Sequence, residues 1–234
     1  MIDSHGEDSV TGFFDTYLAN EIKRVHGDES YIVGRWQGNL DKQFGDFFVG
    51  VRARNILIEF KKDKDGISSE LRDKESRRLL CTKPSDIRDR VSASCHFIGY
   101  DTCEDSQGVD FLEYYYRVCS KSKELNDNEK RQLKDKITQK NHIDFVDKYL
   151  QGNLGAYFGD FTKYMDFLLT NWDSNESDSE KWFKATLISY DPVGRLISTK
   201  ISSYAELKSI AKISPPNIRN EKKNRKDNNR RRPY

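Results

Sequence analysis

The residues best suited to chemistry lie in the stretch GDFFVGVRARNILIEFKK, positions 45–62, where Glu59 and Lys61 flank one phenylalanine at the end of an apolar run. An acid-x-lysine triplet is common in a 234-residue chain that is 33% charged, and it begins here at four glutamates: Glu21, Glu59, Glu206 and Glu221. Context separates them. Glu21 and Glu206 sit in segments of helical periodicity, where residues i and i+2 diverge, and Glu221 lies in a polar tail. Only Glu59 and Lys61 follow a run of strand formers. There, period-two alternation sets Leu57, Glu59 and Lys61 on one face and Ile56, Ile58 and Phe60 on the other.

A carboxylate and an ammonium that follow Leu57 on a strand are partly desolvated, which costs free energy unless the charges are used. Asp46 heads the preceding apolar run. Pairing 46–52 with 55–61 as an antiparallel hairpin about Ala53-Arg54 brings Asp46 beside Glu59 and Lys61. Glu21 stands four residues after Tyr17 and seven after Phe14, near the buried stripe of the first helix, so an approach from the side is expected of it. Two carboxylates and a backbone carbonyl, here that of Phe60, suit a hard cation such as Mg²⁺ or Mn²⁺ that keeps positions for water and a phosphate oxygen. A lysine beside them orients the water or stabilises developing charge. That set matches the needs of phosphodiester hydrolysis. The plainer alternative is a surface hairpin carrying a cross-strand Asp/Lys pair for pairing and solubility.

The elements that must position these groups follow from periodicity. SVTGFFDTYLANEIKRV has helical spacing after a Ser/Thr start; YIVGRWQG, DFFVGVRA and NILIEFKK read as strands, with a turn at Gly38-Asn39 between the first two. SSELRDKESRRLLCTK, ended by Pro84, predicts a helix with a polar face. CHFIGYDT predicts a fourth strand, and VDFLEYYYRVC fits helix or strand. Residues 120–140 are nearly all charge and amide, a solvated helix or linker. HIDFVDKYL and YFGDFTKYMDFLLTNW predict amphipathic helices, 181–201 a hairpin turning at Asp191-Pro192-Val193-Gly194, and SYAELKSIA a closing helix. The expected division is a core over 1–120, the charged segment 121–140, a helical and hairpin extension over 141–214 and a disordered basic tail over 215–234.

The order of helix with an inward acid, three strands, acid on the second, acid-x-lysine ending the third, then helix and strand, resembles the PD-(D/E)xK nuclease superfamily. The resemblance covers about residues 9–101 and rests on GDFF, IEFK and the helix around Glu21. It implies a mixed α/β sheet of the restriction-endonuclease-like kind, with Asp46 and Glu59 holding the metal, Lys61 assisting the attacking water and Glu21 completing the site. Gly45 departs from the pattern, standing where the family name has a proline. Metal-dependent cleavage of nucleic acid, DNA ahead of RNA, is the expected activity, as in defence and restriction systems.

Other residues carry weaker signals. Lys62, Lys64, Arg72, Arg77 and Arg78 could line a phosphate track, although the interleaved Glu70, Asp73 and Glu75 make a solvated, internally paired face the heavier reading. Tyr31, Trp36 and His96 fit a core better than base stacking or metal ligation. From Arg219 to Tyr234 eight basic and two acidic residues give the tail +6; with a whole-chain charge of +2, residues 1–218 carry 2 − 6 = −4. A body this acidic does not grip long duplex alone, which suggests a protein partner such as an ATPase or helicase. The rival expectations are a non-catalytic nucleic-acid-binding or assembly subunit of the same fold, and a protein-interaction module carried by the aromatic second half. No run of 18 apolar residues and no basic-then-apolar start are present, so a cytoplasmic, non-membrane protein is expected. The four cysteines form no Cys-x-x-Cys pair and are expected to be reduced, partly buried thiols.

Overall fold

Val10, Phe14, Leu18 and Ile22 recur at four-residue intervals, and they form the buried stripe of α1 (Glu7–His26). A computed structural model describes residues 7–27, 31–36, 45–52, 54–64, 66–69, 80–82, 87–102, 108–170, 185–190 and 196–201, with positions 203, 205–206 and 209. After α1 come three strands, β1 (Tyr31–Trp36), β2 (Phe47–Val51) and β3 (Arg54–Lys61), each antiparallel to the one before. The β2–β3 register runs from Phe47 opposite Ile58 to Val51 opposite Arg54, so the link is Arg52-Ala53, with Arg52 at φ 47°. β4 (His96–Asp101) then lies parallel to β3, with Leu57 beside His96 and Lys61 beside Tyr100. A parallel neighbour requires a crossover, and its described parts are a 3₁₀ turn (Gly66–Ser69), a helical turn at 80–82 and a π-helical turn (Ile87–Ser92) running into Ala93–Cys95. The expected helix over 68–83, with Arg72, Arg77 and Arg78, lies largely outside the described residues.

β5 (Val109–Glu113) pairs antiparallel with β4, and the chain turns directly into α2 (Tyr114–Cys119), so VDFLEYYYRVC is strand and then helix. The charged stretch contains α3 (Asp127–Asp135), a solvated helix that buries only Leu133 of its nine residues. Its start is a capping box: the Asn126 side chain accepts from the Glu129 N–H at 3.0 Å while Glu129 accepts from the Asn126 N–H at 2.9 Å. Then follow β6 (Lys140–Asn141), α4 (His142–Leu150), β7 (Ala156–Tyr157), α5 (Phe158–Thr170), and the hairpin β8 (Ala185–Tyr190) and β9 (Leu196–Ile201). The described strands join in one mixed sheet of order β6-β5-β4-β3-β2-β1-β8-β9, with β7 added to β3. The α/β class with a mixed sheet is therefore as expected. The closing helix and the tail lie mostly outside the described residues.

Helices cover both faces of the central strands. On one, α1 and α4 bury Phe14, Leu18, Phe145 and Val146 against Phe47, Ile58, Phe60, Phe97 and Phe111. On the other, the crossover, α2 and α5 bury Val91, Tyr115, Phe161 and Tyr164 against Phe48, Leu57, Ile98 and Leu112. The helices of 142–170 thus lie on the two faces of the sheet that carries Glu59 and Lys61. The cysteine expectation is corrected: Cys81 and Cys119 form a disulfide with Cα atoms 5.3 Å apart, tying the crossover to α2, while Cys95 is a buried free thiol. The missing sequence signal was spacing, since 38 residues separate the pair and only the fold brings them together. Among the described residues no helix is long and apolar enough to cross a membrane.

Candidate active site

Phe60 explains why the two charges bracket a bulky residue. Its ring sits 5.7 Å from Phe14, 5.9 Å from Phe47 and 6.4 Å from Phe111, centroid to centroid, in the α1-side core. Burying such a side chain stabilises by about 1.5–3 kcal/mol, so the end of β3 is pinned. Alternation then sends Glu59 and Lys61 to the opposite face, where Glu59 is 3% exposed and the Lys61 side chain 12%. A carboxylate buried that deeply needs a partner, and Lys61 Nζ donates to Glu59 Oε1 at 2.7 Å.

Asp46 stands one residue before β2, next to Phe47, which pairs with Ile58. Its N–H donates to the Ile58 carbonyl at 3.0 Å, and its Oδ2 accepts from the Phe60 N–H at 2.6 Å. Because that N–H points toward β2, so does the Phe60 carbonyl of the same residue. Gly45 makes the arrangement sterically feasible. Its φ is +94°, which a proline cannot adopt, and a Cβ there would lie 3.0 Å from the Ile58 oxygen and 3.3 Å from Glu59 Oε2. The departure from proline noted in the sequence thus has a local cause.

Tyr100, beside Lys61 on the same face, was not singled out in the sequence. It is 4% exposed, and burial, with Asp110 next, pushes its hydroxyl up to about 12 against the opposing Arg117, so it is a neutral donor at ordinary pH. Only the parallel β3–β4 register reveals it, and no local pattern encodes that register. Lys62 and Lys64 are exposed just past β3, with Lys64 Nζ 6.0 Å from the Tyr100 ring centroid.

Asp46 thus meets the Phe60 backbone, and Lys61 meets Glu59, at the end of β3; Glu21 does not join them. It belongs to α1, which packs on the Phe60 side of the sheet, the face opposite Glu59. Two turns beyond Phe14, it accepts from Arg24 at 2.5 and 2.8 Å. It also lies close enough to Tyr17 to help raise that phenol, after burial itself, in company with Asp147 of α4. An acid near the buried stripe of α1 faces the wrong layer once Glu59 points away from that stripe.

The donor set is thus two carboxylates and a carbonyl, all hard oxygens. Among the described residues no three His, Cys, Asp or Glu side chains converge on a common cation position. Such a set is too sparse for Zn²⁺ or for a closed Ca²⁺ cage. It fits Mg²⁺ or Mn²⁺, which take one or two carboxylates and complete their shells with water and phosphate. Comparison with known proteins finds no matching family model, no matching curated protein and no matching solved structure.

Proposed function

We propose that the chain is a metal-dependent nuclease of the PD-(D/E)xK kind, hydrolysing phosphodiester bonds in nucleic acid, with DNA preferred. One observation carries the reading: at the end of β3 the Asp46 carboxylate accepts from the Phe60 N–H at 2.6 Å, while the residues on either side of Phe60 set the Lys61 ammonium 2.7 Å from Glu59. The sequence of helix, three antiparallel strands, crossover and parallel fourth strand supports it as the restriction-endonuclease-like core. Asp46, Glu59 and the Phe60 carbonyl would hold Mg²⁺ or Mn²⁺, which supplies Lewis acidity toward a phosphate oxygen and a nucleophilic water. Lys61 would orient that water and offset charge building on phosphorus, and the exposed Lys62 and Lys64 would meet flanking phosphates. The body charge of −4 supports dependence on a partner subunit such as an ATPase or helicase for grip on duplex. A cytoplasmic setting belongs to this reading; a lasting Cys81–Cys119 bridge would be unusual there.

The placement of Glu21 on the far face leaves two acidic side chains and favours, as a second reading, a nucleic-acid-binding subunit of the same fold without hydrolysis. Incubation of the purified chain with plasmid, single-stranded DNA and RNA in Mg²⁺, Mn²⁺ or EDTA separates the two. Metal-dependent cleavage that disappears in Glu59→Ala and Lys61→Ala supports the nuclease and identifies its polymer. Binding without cleavage under every condition selects the second reading.

A further inference from the structure

We infer that Lys61 is the resident counter-ion of Glu59 and has to leave it for a divalent cation to bind, so that phosphate and cation load the site together. This deepens the nuclease reading and rests on its metal site. Glu59 is 3% exposed, and its Oε1 is held by Lys61 Nζ at 2.7 Å, with the Lys61 side chain itself 12% exposed. The other oxygen, Oε2, faces Gly45, where even a methyl group would sit at 3.3 Å. Asp46 commits its Oδ2 to the Phe60 N–H at 2.6 Å. A Mg²⁺–oxygen bond of about 2.0–2.1 Å on Glu59 would set a doubly charged ion close beside the ammonium, in a pocket nearly closed to water. Two cations at that range repel strongly where water does not screen them, so ammonium and metal compete for one carboxylate.

The competition has a direction. Without ligand, Lys61 offsets the charge of the buried Glu59 carboxylate. A phosphate arriving at the end of β3 meets the exposed Lys64 and offers Lys61 an alternative anion. Once Lys61 turns to the phosphate, Glu59 is released to the cation, and by linkage each ligand strengthens the other by the same factor. The pair thus keeps the metal weakly held until substrate is present.

The test is Mn²⁺ binding, measured by titration calorimetry, on the wild-type chain and on Lys61→Met, with and without a phosphorothioate oligodeoxynucleotide that resists cleavage. In the wild type the oligonucleotide should tighten Mn²⁺ about tenfold, within the usual range of such couplings. Lys61→Met should bind Mn²⁺ about tenfold more tightly than wild type without the oligonucleotide, and adding it should change little. Equal or weaker Mn²⁺ binding by Lys61→Met, or a wild-type affinity indifferent to the oligonucleotide, overturns the inference while leaving the metal site intact. Absence of Mn²⁺ binding in every form overturns the metal site and the inference together. Lys61→Gln repeats the comparison should the Met variant lose its circular-dichroism spectrum, and the wild-type arm needs no variant.

Discussion

Replacing Gly45 by alanine changes one methyl group and should disable the site while sparing the fold. The residue sits at φ +94°, where an L side chain strains the backbone by about 1–3 kcal/mol. Its new Cβ would also press on the Ile58 carbonyl at 3.0 Å and on Glu59 Oε2 at 3.3 Å. The carbonyl belongs to the β2–β3 ladder and yields little, so relief comes from the Glu59 carboxylate or from the Gly45-Asp46 peptide. Both carry proposed metal ligands. The total cost, about 2–4 kcal/mol, is below the 5–15 kcal/mol that holds a typical domain together, so the variant folds with a Tm about 4–16 °C lower. A displacement approaching 1 Å at the reacting groups costs about 10²-fold in rate. Gly152→Ala is the matched control. Its φ of +78° carries a similar backbone strain, but the nearest atom to its Cβ, Arg54 Nε, is 4.0 Å away at the other end of the sheet. Plasmid cleavage and Mn²⁺ affinity, measured on both variants after matching circular-dichroism spectra, should fall sharply in Gly45→Ala and stay at wild type in Gly152→Ala. Equal activity in the two variants would refute the reasoning.

Lys140 and Glu113 form a pair with both side chains 10% exposed, and Thr138 adds two hydrogen bonds to the same carboxylate. Lys140→Met should therefore lower stability in urea by about 3 kcal/mol without changing Mn²⁺ affinity. The Tyr164 hydroxyl joins Ser92 Oγ at 3.0 Å and His96 Nδ1 at 2.7 Å beneath α5, so Tyr164→Phe should cost about 1–3 kcal/mol in the same assay by removing both buried hydrogen bonds. Reducing the Cys81–Cys119 bridge reopens a 38-residue loop and should cost about 3–4 kcal/mol, read as a Tm drop with a phosphine reductant.

What the sequence made legible was local. Four-residue recurrence of Val10, Phe14, Leu18 and Ile22 is enough to draw α1 and its inner face, and alternation through Leu57, Ile58, Glu59 and Phe60 is enough to draw β3. The antiparallel hairpin followed because only two residues separate the strands, but its register is corrected: Phe47 faces Ile58 and Arg54 belongs to β3, two residues from the pairing expected about Ala53-Arg54, and the even shift keeps Glu59 on the expected face. Glu21 shows the limit of that logic. Its spacing said that it lies near a buried stripe, but whether that stripe and Glu59 share a face depends on which way β3 is turned, a tertiary fact. Tyr100 and the Cys81–Cys119 bridge depend on the β3–β4 crossover in the same way. Gly45 was visible as a departure from proline, and its reason appears only when its φ and its closeness to Glu59 Oε2 are known.

The central claim is that Asp46, Glu59 and the Phe60 carbonyl hold the metal that makes this chain a nuclease. Anomalous diffraction from crystals grown with Mn²⁺ and the cleavage-resistant oligonucleotide tests it most directly. The account predicts a Mn²⁺ peak bonded to both carboxylates and to the Phe60 oxygen, with Lys61 turned to a phosphate. A peak elsewhere, or none while Lys61 remains on Glu59 beside a bound phosphate, would contradict it.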